Sequence, residues 1–358
     1  MFNGWLIANA VLLFLTLVVE ALIGYPAWLH ARIPHPVVWA GYAIGALDRR
    51  WNQSAYPFAK RRLLGCVAMV LVIGAAVVLG VLVVAAILVG AYAAGGGPLM
   101  TPEGPMDGSA PLPDPAPSFT HALWINYTAV LVFALVASVG LAQRSLFVHV
   151  KNVLDALRTG DLAVARQRVS LIVGRDTQRL DASGVSAAAL ESLAESFNDG
   201  IVAPAFWFIL GNIPGLFAYK VINTADSLIG HKEERWRAFG WAAARIDDVA
   251  NLVPARIAGT LLVTAGFGGL RVMLKDASKH ASPNAGWPEA AMAGALGVRL
   301  GGATTYDGVL HERPVFGTGP TPGVLDLARG LRTYVIACLL LWALVAAVVS
   351  IPLLMWFI

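Results

Sequence analysis

An all-α, polytopic integral membrane protein is the fold class that this sequence predicts, and three observations predict it. Only 13% of the 358 residues are charged and 57% are hydrophobic, against roughly 25% charged in an ordinary soluble domain. Mean hydropathy is +0.67. The uncharged runs are also long: Leu63–Tyr92, Ala122–Ala142 and Tyr334–Ile358 contain no Asp, Glu, Lys, Arg or His, and Ala8–Ile23 contains only Glu20. About 20 predominantly apolar residues cross a bilayer, so these four runs predict about four spanning helices. A very apolar soluble protein would still need charge on its surface.

The elements follow in chain order. Ala8–Ile23 is the first spanning helix; no basic residue precedes Arg32, so it lacks the charged start of a secretory signal and is expected to be retained. Arg32, Arg49, Arg50, Lys60, Arg61 and Arg62 crowd the next loop, and no Lys or Arg occurs from Leu63 to Gln143. Basic loops mark the cytoplasmic side, which places the N-terminus outside and the second helix running outward. Residues 95–121, GGGPLMTPEGPMDGSAPLPDPAPSFTH, are Pro-rich and aperiodic and read as a disordered external loop. The third helix returns, which makes 1–142 a three-helix membrane unit.

Residues 143–330 read as a cytoplasmic-facing helical region with membrane-associated segments. LDALRTGDLAVARQRVSLIVGRD suggests helix, turn, helix. Ile201–Ile222 and Leu252–Met273 are apolar and glycine-containing, and the charged loop HKEERWR lies between them. Parity requires both or neither to cross, and the flanking Lys and Arg favour neither. They are expected to be re-entrant or packed on the other helices, where irregular backbone at membrane depth is tolerated. Residues 331–358 form the last spanning helix. Cys66 and Cys338 both fall in apolar runs and read as buried hydrophobes rather than metal ligands. The net charge of +4 is spread over loops and does not point to nucleic acid.

Polar residues concentrate in a few patches. Glu191, Glu195 and Asp199 fall at i, i+4 and i+8, on one face if helical, where their repulsion would be relieved by Mg²⁺, an ammonium group or arginines. A solvated acidic face is the plain alternative. Asn223, Thr224, Asp226 and Ser227 exceed what a helix cap needs. Arg245, Asp248 and Asn251 form one stripe, with Asp247 turned roughly 100° away; an Arg245–Asp248 ion pair is the structural alternative. Unpaired charge beside lipid is a functional candidate by default. Arg175, Asp176, Arg179 and Asp181 fit a salt-bridged turn, and Ser282 and Asn284 fit a helix cap ahead of Glu289. Neither GxxxxGK[ST] nor GxGxxG is present, so no standard phosphate cradle is available.

Six patches occur in one order: HPVVWAGYAIGALDRRWN, VGRDTQRLD, ESLAESFNDGIVAPAFW, NTADSLIGHK, ARIDDVANLVPARI and SPNAGWPEAAMAGALGVRLGG. Together they resemble the membrane-bound adenosylcobinamide-phosphate synthases of cobalamin biosynthesis, from Glu20 to about Gly330. The resemblance implies an acid–amine ligase of the inner membrane, with ATP and Mg²⁺ as cofactors and the corrinoid adenosylcobyric acid as substrate. Its free propionate would be joined to 1-amino-2-propanol phosphate or ethanolamine phosphate. On this resemblance Glu195, Asp199, Asp247 and Asp248 are assigned to catalysis, and Glu191, Glu195, Asp199 and Asp248 to the metal. Arg175, Lys232, Arg245 and Arg256 would hold phosphates. Asn223, Thr224, Asp226, Ser227, Asn251, Ser282, Asn284, Glu289, His35 and Asp176 would orient substrate. Membrane lipid is an expected partner, and a homo-oligomer or association with other cobalamin-assembly enzymes stays open. The sequence departs from the family at Gly24-Tyr25-Pro26, where Gly-Asp-Pro is usual, and at Ser196, where Asn usually follows the glutamate. Rival readings are a Mg²⁺-dependent membrane transferase acting on a diphosphate or lipid, and a regulatory or transport relative.

Overall fold

The computed structural model describes residues 2–26, 28, 32, 34–94, 119–306 and 308–357. Most of the Pro-rich segment therefore lies outside the described residues. The described residues are mostly helical, and among them four helical segments are long and apolar enough to cross a membrane: Gly4–Ile23, Phe58–Ala93, Ala182–Ile229 and Val324–Ser350. The first helix, α1 (Phe2–Ile23), packs against Phe119–Ser138 and against the last long helix, Val324–Phe357. Phe58–Ala93 turns Val70, Leu82 and Leu88 outward, each at least 60% exposed. Apolar exposure on this scale is a surface for lipid. A helix suits that environment because it satisfies its backbone within the segment.

The expected third crossing, Phe119–Ser138, meets the next helix, Gln143–Arg158, at a bend of 44°. Glu20, buried on α1, holds that joint. Its carboxylate accepts the Arg144 N–H at 3.1 Å and Gln143 Nε2 at 3.2 Å. It thus satisfies donors left open at a helix start, where the peptide dipoles favour negative charge. Gln143 extends the junction: its Oε1 accepts Trp342 Nε1 at 2.8 Å and its carbonyl accepts the Tyr334 hydroxyl at 2.8 Å.

The two apolar glycine-containing stretches double back. In Ala203–Ile229, Asn212 has φ 56° and ψ −150°, outside any helix. Asn223 Nδ2 consequently returns to 3.1 Å from Asp199 Oδ2, whereas a straight helix would hold residues 24 apart about 36 Å from one another. Asparagine tolerates the left-handed region better than other side chains. Here its Oδ1 accepts the Ile213 N–H at 2.7 Å, and its Nδ2 donates to Asn9 Oδ1 at 2.7 Å. Asn9 Nδ2 in turn donates to the Ile209 carbonyl at 3.0 Å. Gly215 lets the arms close, since a Cβ there would lie 2.4 Å from the Trp207 carbonyl oxygen.

The second reversal joins Leu252–Ala265 to Leu270–Asp276 through Phe267 (φ 55°) and Gly269 (φ 97°). It brings Gly259 under Met273, whose sulfur would lie 2.7 Å from a Cβ at that glycine. Among the described residues, Asn212 and Phe267 are the non-glycine residues with positive φ. Each apolar stretch therefore doubles back as a helical hairpin, and the long apolar segment Ala182–Ile229 is not one straight helix. The small-residue helix Gly286–Leu296 is buried against the second hairpin and Ala182–Phe197. Two short antiparallel pairs, Leu300–Gly301 with Val315–Phe316 and Thr304–Tyr306 with Val309–His311, are the departure from all-helical structure.

Replacing Asn9 with Leu strands the Asn212 amide and the Ile209 carbonyl, and an unsatisfied buried group costs about 1–3 kcal/mol. Thermal unfolding in detergent is expected to show Asn9→Leu destabilised by that order, while Val11→Leu on the same helix stays near wild type.

Candidate active site

The open ends of both hairpins meet, and their polar residues form one cluster. It starts at the end of Ala182–Phe197, where the chain widens into a π turn, Asn198–Val202. Asn198 Nδ2 donates to Asp199 Oδ1 at 2.7 Å and to Asn251 Oδ1 at 2.8 Å. Asn251, at the joint between Trp241–Ala250 and Leu252–Ala265, also accepts the Tyr219 hydroxyl at 3.1 Å. Asp247 faces Asp199 and Asp226. Burial first, and then those two carboxylates, push its carboxyl up to about 8. Lys220 lies within electrostatic reach of Asp199 and Asp247. Two buried oxygens here, Asp247 Oδ1 and Asn198 Oδ1, have no hydrogen-bond partner among the described residues. Such atoms are rare enough in folded proteins to call for an explanation such as a bound ion.

A second cluster adjoins the first. Glu191 Oε2 pairs with Arg175 and, at 2.9 Å, with Arg313 Nη1, while its Oε1 accepts the Gly301 N–H at 2.8 Å. Arg313 continues to Glu289 Oε2 at 3.4 Å. Burial, then the Glu195 and Glu191 carboxylates, hold Glu289 well above the usual carboxylate range. His280 lies 3.7 Å from Glu289, but burial and then Arg313 lower its pKa, so this contact is not an ion pair at neutral pH. Glu195 stands between the clusters. It remains accessible and forms no ion pair among the described residues. Asp199 influences it from one side, and Arg313, Glu191 and Arg175 from the other.

The metal quartet expected from sequence is not assembled. Glu191 is occupied by Arg175 and Arg313, and Asp248 pairs with Arg245 at 3.0 Å, while Asp199 stays within electrostatic reach of Glu195. Among the described residues no three His, Cys, Asp or Glu side chains converge as a ready cation cage. The Arg245–Asp248–Asn251 stripe also divides, because Asn251 turns inward to Asn198. Thr224 and Ser227 donate to the carbonyls four residues back, which answers their apparent surplus over a cap. Ser282 Oγ accepts the Asn284 and Ala285 N–H groups, as a turn requires. Asn284 bridges the Asp248 carbonyl at 2.7 Å and Arg256 at 3.2 Å, and Arg256 stacks on Trp287. Asp176 anchors the Thr304–His311 hairpin through the Gly308 N–H. Lys232 is exposed and acts on Asp248 at the rim.

His35 caps Pro36–Trp51, accepting the Val37 N–H at 3.3 Å. It lines an apolar cavity of about 410 Å³ with Trp39, Val72, Leu79, Phe217 and Lys220. Lys220 therefore links this cavity to the acidic cluster. Sequence reasoning passed over Arg313, Asn198, Tyr219, Lys220 and His280. A lone lysine inside an apolar stretch was the readable signal for Lys220; Arg313 carried none.

Two outcomes are expected. The folded state keeps a proton on Asp247 that the unfolded chain releases above about pH 4. Its penalty on folding therefore grows from about pH 4 to about pH 8 and then levels. In chelator-treated protein, Asp247→Asn should unfold at higher temperature than wild type at pH 8 and at a similar temperature at pH 4, a difference of at most a few kcal/mol. Arg313→Ala leaves Glu191 and Glu289 short of a cation, a loss of about 3–5 kcal/mol, read from the same melts at pH 7.

The CobD/Cbib protein family matches residues 13–334. A relative from Rhodobacter capsulatus, named cobalamin biosynthesis protein CobD, is 42% identical over 331 residues, 91% of this chain and 92% of its own length. Proteins of the same name from a Sinorhizobium species and from Brucella suis are 40% and 42% identical, covering 95% and 85% of this chain and 98% and 85% of theirs. No solved structure matches. The match runs through both hairpins and both polar clusters, and on it the chain belongs to the CobD/Cbib family, the adenosylcobinamide-phosphate synthase family, and has a role in cobalamin biosynthesis.

Proposed function

We propose that this protein joins the free propionate of adenosylcobyric acid to the amine of an aminoalcohol phosphate, with hydrolysis of ATP to ADP and phosphate. One observation carries the reading: an accessible carboxylate, Glu195, sits between a guanidinium cluster and a carboxylate–amide cluster that holds two unpartnered buried oxygens. Phosphoryl transfer needs cations and donors aimed at developing oxygen charge. Arg175 and Arg313, held in place by Glu191, line the side where transferring phosphoryl oxygens would lie. The propionate oxygen takes the γ-phosphoryl group and ADP leaves. The amine nitrogen then attacks the acyl carbon, its proton passes to Glu195, and phosphate departs.

The residues present fit a divalent cation. Asp247 Oδ1 and Asn198 Oδ1 lack partners, Asp199 is beside them, and Mg²⁺ commonly takes one or two carboxylates and leaves the rest to water and phosphate oxygens. When bound, Mg²⁺ would offset phosphate charge. Asp247, Asp199 and Asn198 thereby replace the quartet expected from sequence. Asn223 and Asp226 border the cluster and would orient the polar arms of the amine substrate. The clusters lie on the basic, cytoplasmic-facing side of an inner-membrane protein with its N-terminus outside.

The apolar cavity reaching Lys220 favours a second reading, a transferase acting on a lipid diphosphate. One assay separates the two. Purified protein with ATP, Mg²⁺, adenosylcobyric acid and aminopropanol phosphate is expected to yield a corrinoid heavier by the amine minus one water. Glu195→Gln should lower the rate about 10²–10⁴-fold without lowering the melting temperature. Folded wild-type protein that gives no product, with either aminopropanol phosphate or ethanolamine phosphate, would overturn the ligase reading.

A further inference from the structure

Away from both clusters, the start of Phe58–Ala93 carries a polar pocket of about 480 Å³. Its wall is tightly built. Asn52 Nδ2 donates to Asp48 Oδ1 at 2.8 Å and to the Arg235 carbonyl at 2.9 Å, and Asn52 Oδ1 accepts Arg61 Nε at 2.7 Å. Arg61 also donates to the Arg235 carbonyl, and Arg235 pairs with the buried Asp48 at 3.1 Å. These bonds tie the 231–237 loop to two helix ends and fix the pocket's shape.

Its charge is unbalanced. Asp48 is engaged by Arg235, and Glu234 lies 3.7 Å from Arg237. Arg49, Arg50, Lys60, Arg61 and Arg62 have no carboxylate within ion-pair distance among the described residues. Several cations are instead braced on aromatic rings: Lys60 stands 3.7 Å from the Tyr56 ring centre and Arg62 3.7 Å from that of Trp241. Leu63, Val67 and Val70, outward apolar side chains of the same helix, begin at the residue after Arg62. A pocket lined by Arg49, Arg61 and Arg235 against Asp48 and Glu234, with Lys60 and Arg62 beside it in the chain, and set at the edge of a lipid-facing surface, matches a phosphate attached to an acyl chain better than a soluble phosphate. Juxtamembrane basic clusters attract anionic leaflets for the same reason.

We infer that this pocket binds the phosphate headgroup of an anionic membrane phospholipid, whose acyl chains lie along Leu63–Val70. Native mass spectrometry of protein released from nanodiscs containing equal phosphatidylglycerol and phosphatidylcholine tests it. Wild-type protein should retain phosphatidylglycerol at least about fivefold over phosphatidylcholine, and retention should fall as salt is raised. The triple variant Arg49→Gln, Lys60→Gln, Arg62→Gln should lose that preference at an unchanged melting temperature. Arg49→Lys, Arg62→Lys should keep it, and Lys151→Gln, distant and paired with Asp155, should have no effect. Equal retention of both lipids would overturn the inference. So would displacement of the lipid by millimolar inorganic phosphate, which would mark a soluble-phosphate site, or a preference that survives the triple variant.

Discussion

At membrane depth a peptide group without a partner inside the protein has none at all. That constraint organises this chain. A straight apolar helix meets it unaided, which is why the charge-free runs are helical. At the Gln143 joint and at the Asn212 reversal a polar side chain supplies the missing partner, whereas the reversal at Phe267 is closed by backbone bonds to Thr264 and Val263. Glu20 and Gln143 serve the joint between Phe119–Ser138 and Gln143–Arg158. Asn9 and Asn212 serve the first hairpin's reversal. Glu20, Gln143, Asn9 and Asn212 thus mark irregular backbone, and the reversal at Asn212 returns Asn223 to Asp199.

The two hairpins make a compact site from residues far apart in sequence. Asp199, Asn223, Asp247 and Asn251 meet because each lies at an open hairpin end rather than along a helix face. Helix Ala182–Phe197 then continues the surface to the arginines, with Glu195 as the group common to both sides. The short strand pairs have a local purpose in this arrangement. They carry the chain from the buried Gly286–Leu296 helix past Asp176 and deliver Arg313 to Glu191 and Glu289.

Much of this architecture was legible in the sequence. Run length and the absence of charge identified the long helices, and the glycines and prolines of Ile201–Ile222 and Leu252–Met273 marked stretches that are not straight helices. The polar patches named most of the residues that meet. Their directions were less legible. Regular 3.6-residue spacing puts Glu191, Glu195 and Asp199 on one face, but it cannot show that Glu191 is taken up by two arginines or that a π turn follows Phe197. Arg313 lacks any local signal, since its partners lie 122 and 24 residues away. Hydroxyls such as Thr224 and Ser227 looked like surplus ligands because bonds to their own helix leave no trace in composition.

The first hairpin is clasped at its tip by Asn9, and its open end is joined to the second hairpin through the Asn198–Asn251 amide pair. The reversal that folds the first hairpin and the bond that joins it to the second thus lie at opposite ends of the same arms, so asparagine side chains hold the site from both ends.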